Sequence, residues 1–125
     1  DLQRDHGLAM VFVTHDLGVA AYLCERVAVM YLGRIVEMGP TRDVLRAPLH
    51  PYTRALMQAF PRFDAPLSVS LSGEIPSPSQ LPAGCRFRSR CSHADEACAL
   101  TDPPQLQHGD CRQVACLRPL TLAVA

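Results

Sequence analysis

Five of the six cysteines in this 125-residue chain, Cys85, Cys91, Cys98, Cys111 and Cys116, crowd into its last third. That stretch shows little apolar periodicity. It cannot bury enough surface to order itself by a hydrophobic core alone, so it is expected to depend on ligation. An even cysteine count would suit a disulfide framework in an exported protein. The opening residues, Asp1-Leu2-Gln3-Arg4-Asp5-His6, resemble neither a signal peptide nor a lipidation site. No segment approaches the roughly 18 to 20 apolar residues that span a bilayer. The sequence therefore reads as cytosolic, with metal or cluster ligation favoured for the C-terminal cysteines. Their spacing, Cys85-x5-Cys91-x6-Cys98 and then Cys111 and Cys116, matches neither the Cys-x2-Cys pair of common zinc modules nor a ferredoxin series, and leaves the identity of the centre open. Arg86, Arg88 and Arg90 interleave with the first two cysteines. Their positive field would lower thiol pKa values and offset the charge of a thiolate centre, or they form a solvated basic face.

Charge and composition narrow the chemistry further. Lys+Arg and Asp+Glu both total 12, a net charge of zero, which gives no general attraction for nucleic acid; no nucleic-acid partner is expected. Every basic residue is Arg, which excludes Schiff-base chemistry and a phosphate-cradling lysine within this chain, and with it a self-contained phosphate loop.

Ahead of the cysteines the chain reads as α/β. Leu8-Ala9-Met10-Val11-Phe12-Val13 is a short continuous apolar run followed by polar Thr14-His15-Asp16, the pattern of a central parallel strand buried on both faces. Asp16 predicts a helix N-cap, with Leu17, Ala20, Ala21 and Cys24 on the packed face and Cys24 as a small buried hydrophobe. Val27 to Tyr31 and Ile35 to Met38 flank Leu32-Gly33-Arg34 and predict a β-hairpin. Thr41 is expected to cap a helix ending near Arg46, with Asp43 in its positive end and Pro48 beyond it. A second helix starts at Pro51, with Tyr52, Ala55, Leu56, Ala59 and Phe60 as its apolar stripe. Residues 62–82 are rich in Pro and Ser and read as a linker. The expected organisation is thus an α/β unit over 1–61, a linker over 62–82 and a small, irregular, cysteine-rich segment over 83–125.

A histidine at the carboxyl end of a central strand stands where open α/β sheets gather ligands, and wider context gives His15 a role. Val11-Phe12-Val13-Thr14-His15-Asp16-Leu17, followed by Arg26-Val27-Ala28-Val29-Met30-Tyr31-Leu32-Gly33-Arg34-Ile35-Val36-Glu37-Met38-Gly39, resembles the end of an ABC-transporter ATPase domain of the P-loop NTPase type. Pro48-Leu49-His50-Pro51-Tyr52-Thr53-Arg54-Ala55-Leu56 resembles the segment typical of oligopeptide, dipeptide and nickel importers within that family. It is taken as a family marker without a catalytic part. The resemblance implies that His15 is the switch histidine, both catalytic and nucleotide-binding, which contacts the γ-phosphate and helps position attacking water. It also implies ATP and Mg as cofactors of the full-length protein, whose phosphate loop, glutamine loop, signature loop and catalytic carboxylate have no counterpart in residues 1–125.

The resemblance extends to the cysteines. Pro82-Ala83-Gly84-Cys85-Arg86-Phe87-Arg88-Ser89-Arg90-Cys91 and Val114-Ala115-Cys116-Leu117 are similar to the C-terminal region of peptide-importer ATPases, some of which carry a [4Fe-4S] cluster. It implies Cys85, Cys91, Cys98 and Cys116 as metal ligands, of a [4Fe-4S] cluster or alternatively of zinc. Cys111 departs from the pattern, either as a replacement for Cys116 or as a free thiol. The partners implied are a second ATP-binding subunit in a head-to-tail dimer, transmembrane permease subunits and, indirectly, a peptide-binding protein. The location implied is cytoplasmic, peripheral on the inner face of the cell membrane. The leading expectation is the C-terminal part of an ATP-binding subunit that energises peptide import and is inactive as an ATPase in isolation. An autonomous cysteine-rich metal module and a non-catalytic interaction fragment are the two other readings.

Overall fold

The computed structural model describes residues 5–59 and 73–121. Its organising element is the predicted hairpin. Strands β1 (Arg26–Tyr31) and β2 (Arg34–Pro40) run antiparallel, with Tyr31 paired to Arg34 across a two-residue turn. Both turn residues take positive φ, 45° at Leu32 and 75° at Gly33, the conformation that matches the twist of the flanking strands. Glycine adopts it freely, whereas Leu32 does so at a cost, and the Leu32 carbonyl accepts a hydrogen bond from the Arg86 guanidinium of the cysteine-rich segment.

The helices follow local signals with three differences. In α1 (Leu17–Leu23) the Asp16 carboxylate accepts from the Gly18 and Val19 amides at 2.8 and 3.1 Å, as an N-cap should. Cys24 is the C-cap of this helix and half-buried, rather than part of a packed helical face. The sequence points to Thr41 as the cap of α2 (Thr41–Arg46), but Pro40 occupies that position without a side-chain cap. The Thr41 hydroxyl instead donates to the Cys24 carbonyl at 2.6 Å and its amide to the Glu25 carbonyl at 2.9 Å. A long-range tie to the end of α1 outcompetes the local cap. Helix α3 (Pro51–Ala59) begins at the proline as predicted, but its buried residues are Pro51, Thr53 and Ala55. Tyr52 and Leu56 pack partly buried against the core, Ala59 is exposed, and Phe60 lies outside the described residues.

The strand expected over Leu8 to Val13 does not form. These residues have no strand hydrogen bonding, and Val11 and Val13 are 95% and 92% exposed. A doubly buried strand exists only where neighbours pair with both its edges. Among the described residues the sheet is a separate, antiparallel one of four strands in the order β1-β2-β4-β3, and none of them lies beside residues 8–13.

A further difference lies in the cysteine-rich segment, expected to be irregular. It contains a 3-10 turn (Arg88–Arg90), α4 (Glu96–Leu100), β3 (Leu106–His108) and β4 (Arg112–Val114). Strand β4 pairs antiparallel with β2, Glu37 opposite Val114 and Met38 opposite Gln113. Residues on either side of the 62–82 stretch therefore share one sheet. Of that stretch, 62–72 lie outside the described residues, and 73–82 carry no helix or strand.

They share one core as well. Val29, Tyr31, Val36 and Val44 pack with Phe87, which stands between Cys85 and Cys91 and is 2% exposed. The Phe87 ring meets Tyr31 edge-on at 5.2 Å and Tyr52 at 5.3 Å, while Tyr31 and Tyr52 lie 4.7 Å apart. Burying such a ring contributes about 1.5–3 kcal/mol, and aromatic pairing adds to it. The cysteine loop is thereby anchored on the hairpin and on α3.

Candidate functional site

Four short pieces of chain bring thiols together. The Cys85 amide donates to the Cys98 carbonyl at 2.8 Å, which binds the first cysteine loop to α4. Gly84 permits that approach: its φ is +68°, and a Cβ there would stand 2.4 Å from the Cys98 carbonyl oxygen. The 3-10 turn after Phe87 reverses the chain to Cys91, whose amide donates to the Arg88 carbonyl at 3.2 Å. Cys98 sits in α4, where the N-cap Asp95 accepts its amide at 3.1 Å. Cys116 follows β4, and Arg118 closes the ring of segments by pairing with Asp95 at 3.0 Å.

Cys85, Cys91, Cys98 and Cys116 line one cavity, together with His50 and His93. The space between them is about 10 Å³, room for about one water-sized group. Among the described residues no group of three or more His, Cys, Asp or Glu is arranged to hold a metal ion as the chain stands. The thiols surround a small space rather than converge on a point. Cys111 is exposed in the turn between β3 and β4, away from this cavity, where its carbonyl accepts from Arg26 at 3.2 Å. Cys24 is not part of the cavity either.

The local backbone is organised for sulfur anions. Amide groups approach three of the sulfurs: Phe87 and Arg88 at Cys85, His93 at Cys91, and Arg118 at Cys116, the last at 3.4 Å. Hydrogen bonds of this kind favour thiolate over thiol. Burial wins nonetheless in the absence of a cation. It pushes Cys85 and Cys91 up, and Cys116 up to about 11, with mutual repulsion among the sulfurs adding to the effect. The expectation that Arg86, Arg88 and Arg90 would lower these values is overturned for the first two. Arg86 and Arg88 spend their guanidinium groups on the carbonyls of Leu32 and Ala99, and neither side chain figures among the influences on Cys85, Cys91 or Cys116. Arg54 is a helpful cation: it acts on Cys91 and donates to the His93 Nε2 at 2.7 Å.

The structure also gives the His50 segment a position that sequence reading missed. Glu37, fully buried in β2, accepts the Leu49 and His50 amides on its two oxygens at 2.9 Å each and the Arg112 guanidinium at 2.6 Å. Arg112 also donates to the Ala47 carbonyl at 2.7 Å. This grip presents His50 at the head of α3, where its Nδ1 accepts the Tyr52 amide at 3.0 Å and its carbonyl accepts the Arg54 amide at 3.1 Å. His50 is thus the cap of the helix and a wall of the thiol cavity. Its ring, 1% exposed, lies 5.8 Å from Phe87, and burial holds its pKa down at about 4. The sequence signal was Pro51 at the first helical position, which marks the residue before it as a cap.

His15 stands elsewhere. It occupies an exposed bend just before the Asp16 cap, where the Thr14 hydroxyl oxygen accepts the Asp16 amide at 3.0 Å. It does not line the thiol cavity, so the two groups of candidate residues are separate sites.

Residues 36–98, which hold the Glu37 grip, the His50 segment and three of the four cavity cysteines, match the family model described as oligopeptide/dipeptide transporter, C-terminal region. The chain belongs to this family. Among relatives of this transporter family, a protein of Brucella ovis named as a putative peptide import ATP-binding protein is 46% identical over 121 residues, covering 94% of this chain and 38% of the relative. A dipeptide transport ATP-binding protein of Haemophilus influenzae is 44% identical over 119 residues, 93% of this chain and 36% of its own length. An oligopeptide transport ATP-binding protein of the same organism is 44% identical over 124 residues, 95% of this chain and 37% of its own. The chain therefore spans less than two fifths of these relatives. The mixed α/β arrangement agrees with the C-terminal part of an ABC ATPase domain. Among the described residues, no helix is long and apolar enough to cross a membrane.

Proposed function

We propose that this chain is the C-terminal part of an ATP-binding subunit that energises import of peptides, with its cysteine segment built around a four-thiolate centre. The observation that carries the reading is the family match over residues 36–98, reinforced by three relatives named for peptide, dipeptide or oligopeptide transport. In the complete subunit ATP and Mg are the cofactors and His15 lies at the rim of the nucleotide pocket. There an imidazole N–H toward the γ-phosphate stabilises developing charge and orients water. Its exposed place at a bend before a capped helix leaves the ring open to a ligand. The partners are a second ATP-binding subunit, transmembrane permease subunits and a peptide-binding protein, with the ATP-binding subunit on the cytoplasmic face of the membrane. The test is ATP hydrolysis and peptide uptake by the complete transporter. His15→Ala is expected to abolish hydrolysis while leaving nucleotide binding measurable, and normal turnover by that variant refutes the assignment.

Cys85, Cys91, Cys98 and Cys116 are the ligands of a [4Fe-4S] cluster or, as the alternative, of zinc. Four soft thiols around one space and backbone amides at three of the sulfurs suit the donor chemistry of both. Such a centre supplies the positive charge that keeps the sulfurs deprotonated and stitches α4, the 3-10 turn and the end of β4 together. Its part is structural. Anaerobic purification should give a brown protein with visible absorption that is lost in Cys116→Ser and retained in Cys111→Ser. A colourless protein with stoichiometric zinc points to the alternative, and a protein with neither metal refutes the centre.

A further inference from the structure

The imidazole of His50 is held in one tautomer by groups that have nothing to do with metal binding. Its Nδ1 accepts the Tyr52 backbone N–H at 3.0 Å. A nitrogen that accepts carries no proton, so the proton of the neutral ring is on Nε2. The ring cannot turn over without abandoning the helix cap, and it is held from three sides. Glu37 grips its amide, Phe87 lies 5.8 Å from its ring, and Pro51 starts the helix behind it. The residue is 1% exposed, which places that donor in the interior. The same residue lines the cavity of the four thiols.

A buried N–H in a cavity lined by sulfur groups is well matched to a thiolate. Such a bond gives a buried donor an acceptor and withdraws charge from the sulfur, which changes how strongly that sulfur binds a cation. We propose that His50 is a positioning residue of the four-cysteine site, donating its Nε2–H to a cysteine sulfur there and so strengthening the binding of a thiolate-bound metal. The inference rests on the four-thiolate reading above and adds a residue to it. It also gives the His50-Pro51-Tyr52 segment a physical role. Pro51 and Tyr52 set the helix start that fixes the tautomer, and the tautomer aims a donor at sulfur.

Cobalt(II) is the probe, because its charge-transfer absorption arises from bound thiolate and moves when that thiolate accepts a hydrogen bond. The reduced protein is titrated anaerobically with Co²⁺, beside His50→Asn. Asparagine retains an acceptor for the Tyr52 amide and has nothing at the place of Nε2. The expected result is a thiolate-to-cobalt band displaced to lower energy in His50→Asn and an affinity for Co²⁺ weaker by about tenfold or more, with the melting of the metal-free protein close to that of the parent. A band and affinity identical to the parent overturn the role of His50 and leave the four-cysteine site standing. No thiolate band in the parent sinks that site itself, and His50's role with it. Should His50→Asn not fold, the parent labelled with ¹⁵N-histidine decides. The Nε2-bound proton of His50 is expected to shift on addition of Zn²⁺, and an unmoved resonance in zinc-loaded protein overturns the proposal.

Discussion

Arg112 of β4 crosses to Glu37 of β2 and binds its carboxylate at 2.6 Å, joining two residues 75 positions apart inside the sheet. The pair does more than link strands. The same carboxylate takes the Leu49 and His50 amides, so one acidic group orders the hairpin, the C-terminal strand and the start of α3. The thiol cavity inherits its geometry from that junction, because His50 and the chain leading to Cys116 both depend on it.

Removing one member of this pair is expected to be costly. Glu37→Ala strands a buried guanidinium and two amides and should destabilise the fold by about 3–5 kcal/mol, as for other broken buried pairs. The double replacement Glu37→Leu with Arg112→Met removes both charges and should recover part of that loss. Urea unfolding of the parent and both variants checks this; a Glu37→Ala protein as stable as the parent contradicts the assigned role.

Acid should weaken the metal-free protein before its carboxylates titrate. The unfolded chain takes a proton on His50 near the ordinary value of 6.5, whereas the folded chain resists until about 4. Between those values the unfolded state binds more protons, so stability rises with pH. The contribution is whole above 6.5, declines as pH falls, and is spent at about 4, where the accumulated loss is about 3 kcal/mol. Urea unfolding between pH 7 and 5 should show the decline in the parent and a flatter profile in His50→Asn.

Gly84→Ala should loosen the first cysteine loop. The added methyl would meet the Cys98 carbonyl oxygen at 2.4 Å and the Ala99 carbonyl oxygen at 2.6 Å, in a backbone conformation with φ of +68°. The left-handed conformation alone costs a non-glycine residue about 1–2 kcal/mol, and the contacts force Cys85 away from Cys98. A lowered melting temperature and reduced Co²⁺ uptake are expected; unchanged uptake argues that this approach is unimportant to the site.

Thiol alkylation should separate the cysteines by environment. Cys111 is exposed, while burial raises Cys85, Cys91 and Cys116, the last to about 11. Iodoacetamide at about pH 8 should modify Cys111 first in the metal-free protein, since the thiolate is the nucleophile. Added Zn²⁺ should protect the four cavity cysteines and leave Cys111 reactive. Peptide mass spectrometry reads both outcomes, and preferential labelling of Cys116 contradicts them.

Local physics was legible from the residues. Gly33 between two apolar runs marks the hairpin, Asp16 the start of α1, and Pro51 the start of α3, because each acts within a few positions of itself. Features that depend on distant partners leave no such mark. Leu8 to Val13 has the composition of a buried strand but no pairing neighbour among the described residues, and Thr41 carries the signal of a local cap that a tie to Cys24 displaces. The pairing of β4 with β2 leaves no periodic trace, since strands of three residues are too short to show one.

The candidate site divides in the same way. The cysteine types, their number and their crowding, with the family resemblance of the flanking residues, single out Cys85, Cys91, Cys98 and Cys116 from the sequence by itself. Only tertiary structure decided that these four share a cavity and that Cys111 stands outside it. It also decided that His50, a helix cap in the chain, becomes part of their wall. The physical reason is that a residue's chemical capacity is carried in its own side chain, whereas its surroundings are assembled from segments far apart in the chain, 75 positions for Glu37 and Arg112, joined here by the buried Glu37 carboxylate and the Phe87 ring.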